Sequence, residues 1–299
     1  MRAWAWAVAV LAWAGSGCLA FHEGALPGAP ADALWKEVGG ARVRYTDEGD
    51  GPAVVMLHGF GSSLGIWKQI APELAKKHRV VTLDLKGFGW TDRAEGDYSP
   101  KAQAALVWEL LDSLGVKDVA VVAHSWGSSV ALEVALGKPD RVRRLALYDA
   151  WVYEEQLPSF FYWARTPGVG EALVAMFYRE RTEDKLARAF YSPAYVTEGV
   201  VDDVDGLLAR PGALAAILEA IRGQRFEEVQ GRYREVDKPV LLLWGREDQI
   251  STMAVGERLS RDLPQARMIV YPRCGHFPMV EAREVSTQDV AAFLAEEAP

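Results

Sequence analysis

Apolar residues along the chain fall into short continuous runs separated by stretches with helical spacing. Runs at 53–58, 80–83, 118–123, 142–147, 239–244 and 266–271 are rich in Val and Leu, as expected of strands buried on both faces. Residues 41–47 (Ala-Arg-Val-Arg-Tyr-Thr-Asp) alternate instead, as a strand with one solvated face does. Between the runs, residues 66–77 read as a helix. A further helix opens at Ser99-Pro-Lys, with a capping serine, proline at the first helical position, and Leu106, Leu110, Leu111 and Leu114 on one face. A last helix starts near residue 284. Strands that alternate with helices predict an α/β fold with a mostly parallel sheet covered by helices. In such a sheet, reactive groups gather outside the carboxyl ends of the strands.

The alternation stops between Asp149 and Asp237, where the chain turns helical and aromatic, including Trp151, Tyr153, Phe160, Phe161, Tyr162, Trp163, Tyr178, Phe190, Tyr191 and Tyr195. Most of these rings are expected to fill the core of a helical insertion, leaving one or two to line an apolar pocket. At the other end, Met1-Arg2 precedes an uncharged, mostly apolar stretch from Ala3 to Ala14 and then Gly15-Ser-Gly-Cys18. This stretch falls short of the roughly 20 residues that span a bilayer and suits a signal peptide over residues 1–20. Small residues before Cys18 also resemble a bacterial lipoprotein signal, in which cleavage leaves Cys18 lipidated. Lipidation at Cys18, plain cleavage near Ala20 and an uncleaved apolar tail are the three readings, and export is the preferred one, to the periplasm or to a membrane anchor. Residues 21–39, which include a Gly, Ala and Pro-rich stretch, are expected to be a tether. The core would then comprise 40–150 and 236–299, with the insertion at 151–235.

With 299 residues, half of them hydrophobic and a quarter charged, the chain suits one α/β core plus an insertion. A net charge of -8 offers no basic surface for nucleic acid, so that partner class is excluded. Loss or acylation of Cys18 leaves Cys274 alone, without a disulfide partner. Cys274 is read as a packed loop thiol, because a cysteine nucleophile needs a depressed pKa and a turn that exposes it.

Val121-Val-Ala-His-Ser-Trp-Gly127 is an apolar strand entering a small-x-Ser-x-Gly turn before a helix. Such a turn holds its serine in a strained backbone and needs small neighbours, so that strand and helix can pass closely. Ala123 and Gly127 meet that need, with Ala123 where the pattern usually has Gly. Two later strands end in turns that carry an acid, Gly245-Arg-Glu-Asp248, and a histidine, Tyr271-Pro-Arg-Cys-Gly-His276. The order serine, acid, histidine resembles the α/β-hydrolase family over residues 40–298. Met56-Leu-His-Gly-Phe-Gly-Ser62 is similar to the family's oxyanion loop. Asp84-Leu-Lys-Gly-Phe-Gly-Trp-Thr-Asp92 is similar to its Asp-x-x-Gly-x-Gly-x-Ser-Asp turn, with Thr91 for Ser.

The resemblance implies an eight-stranded sheet with a helical cap inserted after the sixth strand. It implies Ser125 as nucleophile, and the backbone N–H groups of Phe60 and Trp126 as oxyanion donors. A serine hydroxyl needs a base within hydrogen-bond reach, and the base needs an orienting carboxylate. His276 is the candidate base: His22 lies in the tether, His78 at the exposed end of a helix, and the resemblance gives His58 and His124 structural roles. Asp248 and Asp149 compete as the acid, and Asp248 stands at the commoner family position. Asp84 and Asp92 are expected to cap backbone N–H groups of their turn.

The reaction implied is acyl transfer to Ser125 followed by hydrolysis, with no metal or organic cofactor. Related folds include esterases, proline-type aminopeptidases and carbon-carbon hydrolases, and fold does not choose among them. A small to medium, hydrophobic carboxylic ester is the leading substrate. Ser125-Trp-Gly-Ser128 also resembles proline iminopeptidases, in which Glu154 and Glu155 would be candidates to bind a free amine. Their plainer reading is as solvated charges. A noncatalytic binding protein on the same fold is the reading of a different class.

Overall fold

The apolar runs pair into one sheet within residues 19–178 and 181–296, which a computed structural model of the chain describes. Its strands are β1 (Leu34–Val38), β2 (Ala41–Glu48), β3 (Ala53–Leu57), β4 (Arg79–Leu83), β5 (Val119–His124), β6 (Val142–Tyr148), β7 (Val240–Gly245) and β8 (Ala266–Tyr271). They lie in the order β1-β2-β4-β3-β5-β6-β7-β8. β2 pairs antiparallel with β1 and β4, and every pairing from β4 through to β8 is parallel. Parallel strands are buried on both faces, which explains the unbroken apolar runs. In β3, Val55 and Leu57 enter one core, while Val54 and Met56 enter the other.

The helices Pro100–Ser113 and Trp126–Gly137 cover the first face, and Ala71–Leu74 and Arg283–Ala295 the second. Ser99 Oγ accepts the Ala102 N–H at 3.2 Å, with Pro100 at the first helical position. The helix expected over 66–77 is instead a 3-10 turn, Leu64–Trp67, and the short helix Ala71–Leu74. Pro72 accounts for the break: it has no N–H and its ring would clash with the preceding turn, so a helix can begin beside it but cannot run through it. His78 is buried rather than exposed, with Nδ1 3.2 Å from the Leu74 carbonyl oxygen.

The tether expected over 21–39 is corrected. Leu34–Val38 is the edge strand β1, paired with β2 in register from Leu34↔Tyr45 to Val38↔Ala41. Upstream of it, Leu26 is buried, Phe21 stacks on Tyr98 at 6.1 Å, and the His22 N–H donates to the Arg93 carbonyl at 3.2 Å. A segment rich in Gly and Pro is held here by tertiary contacts and not by local propensity. Residues 1–18, with the expected signal segment and Cys18, lie outside the described residues.

Between β6 and β7 runs the helical insertion, with helices Ser159–Ala164, Val169–Phe177, Thr182–Ala189, Glu198–Ala209 and Ala213–Gly223. Tyr153, Phe161 and Phe190 are buried and Trp151 and Tyr178 half-buried, but Phe160, Tyr162, Trp163, Tyr191 and Tyr195 are exposed, so half of these rings rather than most pack inward. Ser159–Ala164 is under two turns long and carries four consecutive aromatic residues, so its rings point around the whole helix and one side alone faces inward.

Shortening the chain tests the corrected N-terminal boundary. A chain beginning at residue 40 loses β1 and the burial of Leu26, which alone contributes about 1.5–3 kcal/mol. Its melting temperature is expected to fall by roughly 5 °C or more below that of a chain beginning at residue 19. Equal melting temperatures by calorimetry would restore the tether.

Candidate active site

β5 ends at His124 and the next helix starts at Trp126, so Ser125 alone makes the turn between them. It sits at φ 52°, ψ -125°, a region costly for a residue with a Cβ. Its own backbone groups hold it there: its N–H donates to the Tyr148 carbonyl at 2.9 Å, and its carbonyl accepts the Trp151 N–H at 3.1 Å. Close packing explains the small neighbours. A Cβ on Gly127 would stand 2.5 Å from the His58 carbonyl oxygen and 2.7 Å from that of Leu57. The Ala123 methyl, where the pattern usually has none, is accepted in the core.

The three residues from separate strand ends converge. His276 Nε2 lies 2.9 Å from Ser125 Oγ, and His276 Nδ1 lies 2.7 Å from Asp248 Oδ2. The other Asp248 oxygen accepts the N–H groups of Ile250 at 2.7 Å and Ser251 at 3.1 Å. Asp149 sits beside this chain without joining it: Oδ1 accepts the Gly245 N–H at 2.9 Å, and no contact to His276 at hydrogen-bond distance is present. Burial, and then the Asp248 charge, push its carboxyl well above the usual carboxylate range. Asp149, Asp248 and His276 each place one potential metal-ligating atom within 4.8 Å of the others.

Phe60 lies in the turn after β3, against the Ser125 turn. A Cβ on Gly59 would come within 3.1 Å of Ser125 Cβ, so glycine there lets the loop after β3 approach the serine. Trp126 is the first residue of its helix, where an N–H has no intrahelical acceptor. The Phe60 ring packs edge-on against Trp126 and Phe88, at 5.7 and 5.5 Å, and meets Phe161 and Tyr178 of the insertion at 6.1 and 6.5 Å. The Tyr178 hydroxyl reaches to 4.0 Å from where a Gly61 Cβ would stand, and burial raises its pKa. The insertion thus reaches over the serine as a cap.

His58 and His124 are neutral supports. His58 Nε2 accepts the Leu85 N–H at 3.0 Å, so Nδ1 carries the proton donated to the Gly59 carbonyl at 2.8 Å. His124 Nε2 donates to the His276 carbonyl at 2.8 Å, which ties the histidine loop to the residue before Ser125. Burial lowers the pKa of both rings. Cys274 is buried, and burial pushes its thiol upward, so it is a packed thiol.

Asp84 caps its own turn through the Trp90 N–H at 2.8 Å and also accepts that of Leu64 at 2.7 Å, whereas Asp92 accepts the Arg42 N–H of β2 at 2.9 Å, outside the turn it was expected to cap. Glu154 and Glu155 are not simply solvated. Glu154 pairs with Arg165 at 3.0 Å and accepts the Phe226 N–H at 3.1 Å, while Glu155 pairs with Arg258.

One residue had no signal in the sequence. Glu281 accepts N–H groups from Gly275 at 2.7 Å, Tyr191 at 3.2 Å and Ser192 at 2.9 Å, joining the histidine loop to the cap. The Ala189 carbonyl accepts the His276 N–H at 2.6 Å and strengthens that junction. No motif marks a glutamate whose partners are backbone groups some 90 residues away.

Comparison with known proteins agrees with the fold. A family model for the alpha/beta hydrolase fold matches residues 52–282. The chain is 32% identical over 270 residues, 86% of its length and 92% of the relative's, to a 2-hydroxy-6-oxononadienedioate/2-hydroxy-6-oxononatrienedioate hydrolase of Paraburkholderia xenovorans. Among solved structures it is similar to the meta-cleavage product hydrolase CumD of Pseudomonas fluorescens, with 25% identity, a TM-score of 0.75, and 88% of this chain and 98% of that one covered. It is also similar to a thermophilic esterase from Thermogutta terrifontis, with 26% identity, a TM-score of 0.71 and the same coverage of 88% and 98%.

Gly127→Ala probes the packing of the serine turn. The added methyl would meet backbone carbonyls, which cannot swing aside, so a loss of about 1–3 kcal/mol is expected in denaturant unfolding. An unchanged midpoint would mean that helix and strand are not held this closely.

Proposed function

The chain belongs to the alpha/beta-hydrolase fold family and is a hydrolase, and within that family we propose that it is a serine hydrolase of a small to medium, apolar carboxylic ester. The observation that carries this reading is His276, bridging Ser125 Oγ at 2.9 Å and Asp248 at 2.7 Å with one ring. In the proposed reaction, Ser125 Oγ attacks the ester carbonyl while His276 Nε2 takes its proton. Asp248 holds the ring so that Nε2 faces the serine, and it stabilises the imidazolium that forms. The N–H groups of Phe60 and Trp126 stabilise the oxyanion, each contributing about 3 kcal/mol to transition-state stabilisation. Collapse releases the alcohol with the proton from His276, and water activated by the same ring then hydrolyses the acyl-enzyme. This sequence calls on no cofactor.

The ring cluster of Phe60, Phe161 and Tyr178 over the serine supports an apolar acyl or alcohol group. Hydrolysis of a carbon-carbon bond is the second reading, favoured by the named activity of the Paraburkholderia relative. A dicarboxylate substrate of that kind demands cationic partners. The cap arginines Arg165 and Arg222 are already paired with Glu154 and with Glu171 and Glu219, which ranks the neutral ester first. Amide hydrolysis at a free amino terminus ranks lower, since Glu154 and Glu155 are held in ion pairs.

Export is also part of the proposal. Leu19 packs in the main core, which supports a mature chain that keeps this residue and begins at Cys18 over one cut after Ala20. Mass spectrometry of the mature N-terminus reads this directly: an acylated Cys18 is expected, and an intact Met1 would rule out processing.

A fluorophosphonate probe is expected to label Ser125, mapped by peptide mass spectrometry, with turnover of short-chain p-nitrophenyl esters above that of a prolyl amide or a 2-hydroxy-6-oxo-dienoate. Preferred turnover of the dienoate would promote carbon-carbon hydrolysis, and folded protein that never labels would favour a noncatalytic binding role. Asp248→Asn should lower turnover on the order of 10³–10⁴-fold, far more than Asp149→Asn. The reverse ranking would make Asp149 the orienting acid. His276→Ala should abolish burst-phase acylation in folded protein, and a surviving burst would remove His276 as the base.

A further inference from the structure

Asp149 is a second carboxyl built into the site. It follows β6 at φ 42°, a left-handed conformation uncommon for a residue with a Cβ, and its side chain is fully buried. Its N–H donates to the Leu243 carbonyl at 3.0 Å and its Oδ1 accepts the Gly245 N–H at 2.9 Å, so two bonds to β7 hold it in place. Its Oδ2 is equally buried and meets no hydrogen-bond donor. Asp248, by contrast, has both oxygens satisfied: Ile250 and Ser251 N–H on one, and the His276 ring on the other.

Two carboxylates this close cannot both remain charged in a buried space. The donors decide which one ionises. Three polar hydrogens converge on Asp248, whereas Asp149 receives one and keeps an orphan oxygen. A proton on that oxygen turns an unsatisfied acceptor into a donor, and the Asp248 carboxylate is the acceptor beside it.

We propose that Asp149 is a positioning residue carried as a neutral carboxylic acid, its Oδ2–H donated to Asp248 so that the Asp248 carboxylate stays on His276 Nδ1. The inference rests on the reading of Asp248 and His276 as acid and base. The titratable groups around Asp149 are Asp248, His276, Glu281, Cys274 and Tyr148. Burial and the Asp248 charge both raise its pKa, which gives the linkage its sign. An unfolded Asp releases its proton near pH 3.9, and the folded protein keeps it to higher pH. Stability from this group is complete below the unfolded value and declines as pH rises toward the folded one. An asparagine at this position has no such dependence.

The test compares the wild-type protein with Asp149→Asn, which keeps an N–H donor, and Asp149→Leu, which has none. At pH 7 the wild-type infrared spectrum should contain the carbonyl band of a buried carboxylic acid, absent from Asp149→Asn. As pH rises from about 4, the unfolding constant of wild type should grow relative to that of Asp149→Asn by up to about tenfold per pH unit. Asp149→Leu should slow acylation by fluorophosphonate at least about 10-fold, with Asp149→Asn losing less.

Absence of the band, with Asp149→Asn losing ground as pH rises, would mean an ionised Asp149 and overturn the proposal. Equal acylation rates in all three proteins would remove the positioning role. A stoichiometric divalent cation in purified protein, with the acid band present only after chelation, would make the three residues a metal site instead. Should Asp149→Leu fail to fold, the infrared band and the Asp149→Asn pH series still decide. If wild type never labels, the hydrolase reading fails while those same two measurements continue to report on the carboxyl pair.

Discussion

Ser125 occupies a backbone conformation that costs about 1–3 kcal/mol, and the surrounding structure makes that conformation the favourable one. Its N–H is bonded to Tyr148, the last residue of β6, and its carbonyl to Trp151 just beyond that strand. The helix that follows can leave the turn only because Gly127 has no side chain to strike β3. β3, β5 and β6 must therefore lie in register before the serine can point outward. This dependence couples the nucleophile to the assembly of the central sheet.

The same strand ends bring charge into a dry place. Asp149 and Asp248 follow adjacent parallel strands, β6 and β7; the Asp248 carboxyl bonds His276 from the turn after β8, and that of Asp149 lies beside them. In water such a group would be hydrated and its parts independent. Here each oxygen depends on a counted supply of N–H donors, and the uneven supply separates the two acids into different roles. His124, neutral and bonded to the His276 carbonyl, adds a backbone tie without adding charge beside the base.

The cap is joined to this site by polar clamps as well as by rings. Glu281 links the histidine loop to Tyr191 and Ser192, and the Ala189 carbonyl holds the His276 N–H. On the opposite flank Glu154 joins Arg165 and Phe226, so the cap's first and last portions are drawn together. Phe60, Phe161 and Tyr178 then close over the serine from both core and cap.

Local pattern determined a large part of the protein. Apolar runs of strand length, the small residues around Ser125, and turns bearing Asp248 and His276 are each properties of a few adjacent residues, so the α/β class and the three side chains that converge were legible directly. Where local and tertiary preferences disagreed, the sequence misled. Leu34–Val38 looked like tether because its strand character comes from pairing with β2, and Pro72 divided a segment with helical apolar spacing. The choice between Asp149 and Asp248 stayed open for a related reason: both are acids after buried strands, and what separates them is the set of N–H donors arriving from other strands and turns. Glu281 had no signal at all, because its role lies in backbone groups brought from distant parts of the chain. Residue type and spacing determine what a segment can do, and only the packed sheet decides which distant donors reach it.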